Sequence, residues 1–198
     1  MKLKHLLLLY LIFFNSYNLV SQNQTVQKSF DKPVLMHYMP WFETPIFNGY
    51  WGWHWTMNNQ NPDIIDANGN RQIASHYYPL IGPYSSIDPD VIEYHLLLMK
   101  YSGVDVLAVN WYGTHGTNGD INSLLNNSNA IINKTQELGM SFAIILEDRF
   151  SSSISDVQNN LSYANTNYFS KENYFRYGNE NNPFLGIFGP ITYQTESD

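Results

Sequence analysis

Residues 88–113 read DPDVIEYHLLLMKYSGVDVLAVNWYG, and this stretch decides the fold. Asp88 is a helix N-cap, Pro89 suits the first helical position, and Asp90 sets a carboxylate against the positive end of the helix dipole. Apolar residues from Val91 to Tyr101 carry the helix onward, and Gly103 stops it. Val104 to Val109 then form an almost unbroken apolar run, the signature of a strand buried on both faces. It ends at Asn110, Trp111, Tyr112 and Gly113.

The same alternation extends in both directions. Upstream, Val34 to Met39 is a short apolar run closed by Pro40, and residues 41–87 form a long irregular segment rich in aromatics, Asn, Gly and Pro. Loops of that length in a compact domain are usually functional. Downstream, Leu124, Ile131 and Leu138 recur every two turns, which predicts a helix over about 122–138 with Gly139 as its cap. Ser141 to Leu146 reads as a third strand meeting Glu147, Asp148 and Arg149, a polar helix is expected within 153–172, and Pro183 to Phe188 is a fourth strand stopped by Gly189-Pro190.

Four strands alternating with helices, each strand apolar throughout, predict an α/β fold with a parallel sheet. Neither GxGxxG nor GxxxxGK[ST] follows any strand, so a nucleotide-binding doubly wound sheet loses its main support. Aromatic or acidic clusters follow the strands instead, which is how a (β/α)8 TIM barrel assembles its site. Such a barrel needs about 250 residues. The chain therefore reads as a truncated N-terminal half with about four strand–helix units, occupying residues 33–198.

Two segments precede it. Lys2, Lys4 and His5 followed by the apolar run Leu6 to Phe14 read as a signal peptide over residues 1–21, too short to span a bilayer. Residues 22–32 read as a polar linker. The expected location is accordingly secreted, periplasmic or cell-surface. With no cysteine there is neither disulfide nor lipid-acylation site, so the core alone must supply stability.

Composition narrows the ligand. The chain has 10 Lys+Arg against 17 Asp+Glu, a formal net charge of -7, which argues against nucleic acid as a partner. Five Trp, 15 Tyr and 11 Phe suit a neutral ligand with apolar faces, because aromatic rings bind such faces without opposite charge. The six His show neither HExxH nor a close pair, so a metal site is weakly supported, and GxSxG is absent; no cofactor is expected.

Several groups are candidates for carbohydrate contact. Tyr38 and Trp41 follow the first strand as part of a sugar platform. Trp51, Trp53, His54 and Trp55 crowd into five residues, favouring sugar stacking, with loop packing as the alternative. His76, Tyr77 and Tyr78 could point polar tips into a cleft. Asn110, Trp111 and Tyr112 end the second strand. Glu147 is the one well-placed carboxylate: Asp148 beside it should face the other way, and Asp105 starts its strand, at the end linked to stability. Four Asn-x-Ser/Thr sequons, at Asn23, Asn126, Asn133 and Asn160, are expected by chance in so Asn-rich a chain.

The block from Ile73 to Glu93, with Tyr77-Tyr78-Pro79, Gly82-x-Tyr84-Ser85-Ser86, Asp88-Pro89 and Val91-Ile92-Glu93, continuing to Asn110-Trp111-Tyr112, closely resembles the endo-α-mannosidases of glycoside hydrolase family 99. Tyr38 with Pro40-Trp41 is similar to that family's first-strand motif, His54-Trp55 to its loop motif, and Glu147 to the glutamate that ends its third strand. The likeness spans about residues 34–190. It implies a (β/α)8 barrel that cleaves internal α-mannosidic bonds with retention and without a metal, acting on a mannose-containing glycan or polysaccharide. It implies that Tyr38, Trp111, Tyr112 and Glu147 line the donor-side subsites. The family's catalytic Glu-x-x-Glu pair belongs to the second half of the barrel, and no such pair occurs in this chain. The resemblance therefore puts the pair beyond Asp198, and no catalytic residue is expected among the 198 positions. Asn110 and Asp148-Arg149 depart from the family pattern, which bears on sugar and linkage more than on fold. Another α-glycanase of the family 71/99 group and a non-catalytic carbohydrate-binding protein are the alternatives.

Overall fold

The computed structural model describes residues 26–190. The expected signal peptide and the first residues of the linker lie outside that range. So does the segment 191–198 with Asp198, past which the catalytic pair is expected; that expectation falls outside the described residues. Four strands form one parallel sheet: β1 (Leu35–Tyr38), β2 (Val106–Trp111), β3 (Ser141–Glu147) and, after a two-residue hairpin of β4 (Arg176–Tyr177) and β5 (Asn182–Pro183), β6 (Leu185–Phe188). Their order across the sheet, β1-β2-β3-β6, follows the chain without reversal. Right-handed crossovers in one direction put every helix on the same face. That winding is the one a (β/α)8 barrel uses, whereas a doubly wound sheet reverses its order.

The helices form where their caps and apolar spacing require. α1 (Pro89–Tyr101) starts at Asp88, whose side chain accepts hydrogen bonds from the backbone N–H of Asp90 and Val91, and it buries Ile92 and Leu96 one turn apart. α2 (Ile121–Glu137) buries Leu124, Asn127, Ser128, Ile131, Ile132 and Thr135, a helical stripe interrupted by polar groups. α3 (Ile154–Ala164) starts at Ser153, whose hydroxyl caps Asp156 N–H, and runs into a π-helical turn, Asn165–Phe169. The expected third helix is thus present but shorter than the 153–172 window. Ile92 and Leu96, Ile131 and Ile132, Val157 and Ala164 join Leu107, Val109, Trp111, Phe142, Ile144 and Leu146 in one core.

Two differences from the sequence reading matter for the site. β2 does not stop at Val109 but continues through Asn110 and Trp111, so those two residues obey strand alternation. The long segment 41–87 contains single helical turns at Pro45–Asn48 and Trp53–Thr56, stitched to its start by Gly52 N–H to Glu43 O at 3.0 Å and Ser86 N–H to Phe42 O at 2.7 Å. At the amino end of the sheet, Asp105 accepts from Val34 N–H and pairs with Lys28, holding the chain entry. Among the described residues no helix is long and apolar enough to cross a membrane.

Candidate functional site

Register assigns every strand residue a face. His37 pairs with Ala108, Asn110 with Ile145, and Glu147 with Phe188, while Tyr38 pairs with Val109 and Trp111 with Leu146. His37, Asn110, Glu147 and Phe188 therefore share the face opposite the helices, at the carboxyl ends of the four strands. His37 Nε2 lies 3.0 Å from Asn110 Oδ1, and the His37 and Phe188 rings are 6.1 Å apart. Asn110 is buried, and its amide nitrogen has no partner at hydrogen-bond geometry among the described residues. It still lies near enough to Glu147 to favour the ionised carboxylate.

Glu147 is 5% exposed. Burial pushes its carboxyl above the ordinary glutamate range, and the Asn110 amide, Arg149 and His37 pull it partly back. Tyr112, next along from β2, packs its ring 4.8 Å from Phe150. Burial first, then the negative field of Glu147 and Asp120, pushes its phenol up to about 12, against the opposing charge of Arg149. The floor of the site thus holds a buried carboxyl group, an amide donor and a phenol that stays protonated at any physiological pH.

A second cluster rises from the loop after β1. Trp41 and His54 stack with centroids 4.2 Å apart and planes within 7° of parallel, and His54 Nδ1 lies 3.2 Å from Trp41 O. Burial lowers the His54 pKa, so the ring favours its neutral form, although the Trp41 carbonyl and Asp120 act the other way. Beneath the pair, Phe42, Trp55 and Tyr84 pack together, and Trp55 Nε1 donates to Tyr84 O at 2.9 Å.

The structure corrects several placements. Tyr38 faces the helices, with its hydroxyl 2.9 Å from His95 Nδ1, and its neighbour His37 takes the inner position. Trp111 also faces the helices, 1% exposed, stacked on Tyr163 and set edge-on to Tyr168. Trp55 is buried under the loop, as the packing alternative requires. Tyr77 and Tyr78 are exposed and make local contacts: Tyr77 to His76, and the Tyr78 hydroxyl accepting from Arg71 N–H. Of the ten expected contact residues, Asn110, Tyr112 and Glu147 come together, and Trp41 with His54 forms a separate stack.

His37 and Asp120 are the residues that sequence reasoning does not select. His37 stands in plain view on its strand, but the choice between it and Tyr38 depends on register. Asp120 precedes α2 without using its side chain as a cap, and its charge acts on Tyr50, His54 and Tyr112. It bridges the two clusters electrostatically. No group of three or more His, Cys, Asp or Glu side chains placed to hold a metal ion occurs among the described residues.

Comparison with known proteins bears on the family and the fold. Residues 29–197 match the family described as Glycosyl hydrolase family 99. A glycoprotein endo-alpha-1,2-mannosidase of Xenopus laevis is 29% identical over 161 residues, covering 76% of this chain and 35% of that protein. Its Mus musculus counterpart is 27% identical over the same length. The chain spans about a third of the length of these curated relatives. A solved structure of a GH99 endo-alpha-mannosidase from Bacteroides thetaiotaomicron superposes with a TM-score of 0.61 at 23% identity, covering 82% of this chain and 43% of that one, which shows a shared TIM-barrel-like α/β fold. The chain belongs to glycosyl hydrolase family 99.

Proposed function

We propose that this chain supplies the sugar-recognising part of a secreted retaining endo-α-mannosidase, built as the first half of a (β/α)8 barrel. The observation that carries the reading is the row His37–Asn110–Glu147, set across three adjacent strand ends on the face opposite the helices. A buried carboxylate beside an amide donor suits vicinal sugar hydroxyls, which donate to the one and accept from the other. Trp41, half-buried and stacked on a neutral His54, offers an aromatic surface against which a pyranose can pack. Family membership and the named activity of the relatives support α-mannosidic linkages as the substrate class.

In this reading Glu147 orients the substrate. Retaining cleavage needs two carboxyl groups about 5–5.5 Å apart across the scissile bond. The catalytic pair is assigned to the second half of the barrel, beyond Asp198, as in the family resemblance. The basic and then apolar start of the chain supports export.

Protein expressed from the complete coding sequence tests the proposal when incubated with α-manno-oligosaccharides and, in parallel, α-1,3-gluco-oligosaccharides. Internal cuts in the mannosides, with the released anomer retaining its configuration by proton NMR, are expected. Cleavage of the glucan alone would move the protein to the family 71-like activity. Tight binding of either sugar without cleavage would make it a carbohydrate-binding protein.

A further inference from the structure

Two buried asparagines lie outside the cleft and spend their side chains on the loops that form it. Asn127 is the seventh residue of α2 and Asn160 the seventh of α3. Both are buried, at 1% and 0% exposure. Asn127 Nδ2 donates to Pro40 O at 2.9 Å, one residue before Trp41. Asn160 Oδ1 accepts from the N–H groups of Thr114 at 2.7 Å and His115 at 2.9 Å, and its Nδ2 donates to His115 O at 2.9 Å, two and three residues after Tyr112.

We infer that Asn127 and Asn160 are positioning residues, each fixing the loop after one strand from the helix of the next strand–helix unit. α2 follows β2 and holds the loop after β1, while α3 follows β3 and holds the loop after β2. A carboxamide suits the task because it presents donor and acceptor in one plane, matching a peptide group, and stays neutral at every working pH. Gly113 fits the same contact: its φ is +84°, and a Cβ there would overlap the Asn160 carboxamide. A second tie fixes the far end of that loop, where Phe150 O accepts from Thr117 N–H at 2.8 Å. Phe150 is also the ring against which Tyr112 packs. The loop after β2 is therefore anchored on both sides of Gly116, and Tyr112 has little freedom to leave Glu147. Placement at this level matters because about 1 Å of displacement can cost on the order of a hundredfold in rate.

As a role in glycan recognition, this rests on the proposed function; as a clamp on Tyr112, it does not. The full-length protein carrying Asn160→Ala loses both the acceptor for Thr114 and His115 N–H and the donor to His115 O, and adds no charge near Tyr112. Ultraviolet titration, taken as the difference from the matching Tyr112→Phe protein, should show the Tyr112 phenol ionising at lower pH than in the wild type. Affinity for an α-manno-oligosaccharide should fall about tenfold, with the circular dichroism unchanged. Ser128→Ala is the control, since Ser128 is equally buried but bonds only Leu124 O of its own helix; it should leave both readouts as they were. A lowered melting temperature with unaltered Tyr112 titration and affinity would overturn the inference and make Asn160 a purely structural residue. If Asn160→Ala does not fold, Asn127→Ala, which frees the Pro40 carbonyl, carries the test: reduced affinity supports the clamp, and unchanged affinity overturns it. If the wild-type protein binds no α-mannoside, the functional proposal fails while the Tyr112 titration still decides the clamp.

Discussion

Glu147 and Trp111 show how one position along a strand separates two fates. Glu147 faces the strand-end cluster, yet it is buried, and burial raises its carboxyl pKa in the folded protein. A raised folded value means the native state binds the proton more tightly than the unfolded chain, so the ionised form weakens the fold. That penalty is absent below the unfolded carboxylate value, about pH 4, and grows as pH rises through the folded one. Glu147→Gln should therefore raise the melting temperature at neutral pH, with the gain vanishing toward about pH 4. Calorimetric scans over that range check it, and a gain independent of pH would contradict it. Trp111 lies on the other face, between Tyr163 and Tyr168. Trp111→Ala should cost about 3–5 kcal/mol of stability, measured by denaturant unfolding, with ligand affinity of the folded fraction retained. A stable variant with lost affinity would return Trp111 to the cleft.

At the scale of elements, much of this architecture is legible in the sequence because each signal is local. Asp88-Pro89 announces α1, and Gly103 and Gly139 punctuate the chain where the helices end. The apolar runs locate all four strands of the parallel sheet. What the runs do not encode is which alternate residues face which way, since a strand buried on both faces carries no polar alternation. That is why sequence alone favours Tyr38 over His37 and sets Trp111 in the cleft. Both positions resolve once β2 is extended through Trp111 and its register with β1 and β3 is known. Asn127 and Asn160 are hidden differently. In an Asn-rich helix they look like solvent-facing residues, and Asn160 even opens a glycosylation sequon although its side chain is fully buried. The site's long-range pairs, His37 with Asn110 and Asp120 with His54, join residues more than sixty positions apart and leave no mark on local spacing.

For the whole molecule, behaviour in solution is set by the sheet's two margins. β1 pairs only with β2, and β6 only with β3, among the described residues. Val34, Met36, Ile187 and Phe188 are exposed at these margins. Unpaired parallel edges carrying apolar side chains template association. The 198-residue chain expressed alone should therefore self-associate in light scattering, and a cooperatively melting monomer would contradict the half-barrel proposal. The two ends of the sheet are built differently: Lys28 and Asp105 tie down the amino end, while Asn110, Tyr112 and Glu147 come together at the carboxyl end. This division is the central claim, and one titration tests it most directly. Calorimetric binding of an α-manno-oligosaccharide is measured for the full-length protein, for Glu147→Gln and for Asp105→Asn. A hydrogen bond to a charged acceptor is worth about 1.5–3 kcal/mol, so Glu147→Gln should weaken binding about 10–150-fold. Asp105→Asn should bind as the wild type does. Equal affinity for wild type and Glu147→Gln, or an equal loss in Asp105→Asn, would contradict the assignment of the sugar site to the carboxyl end of the sheet.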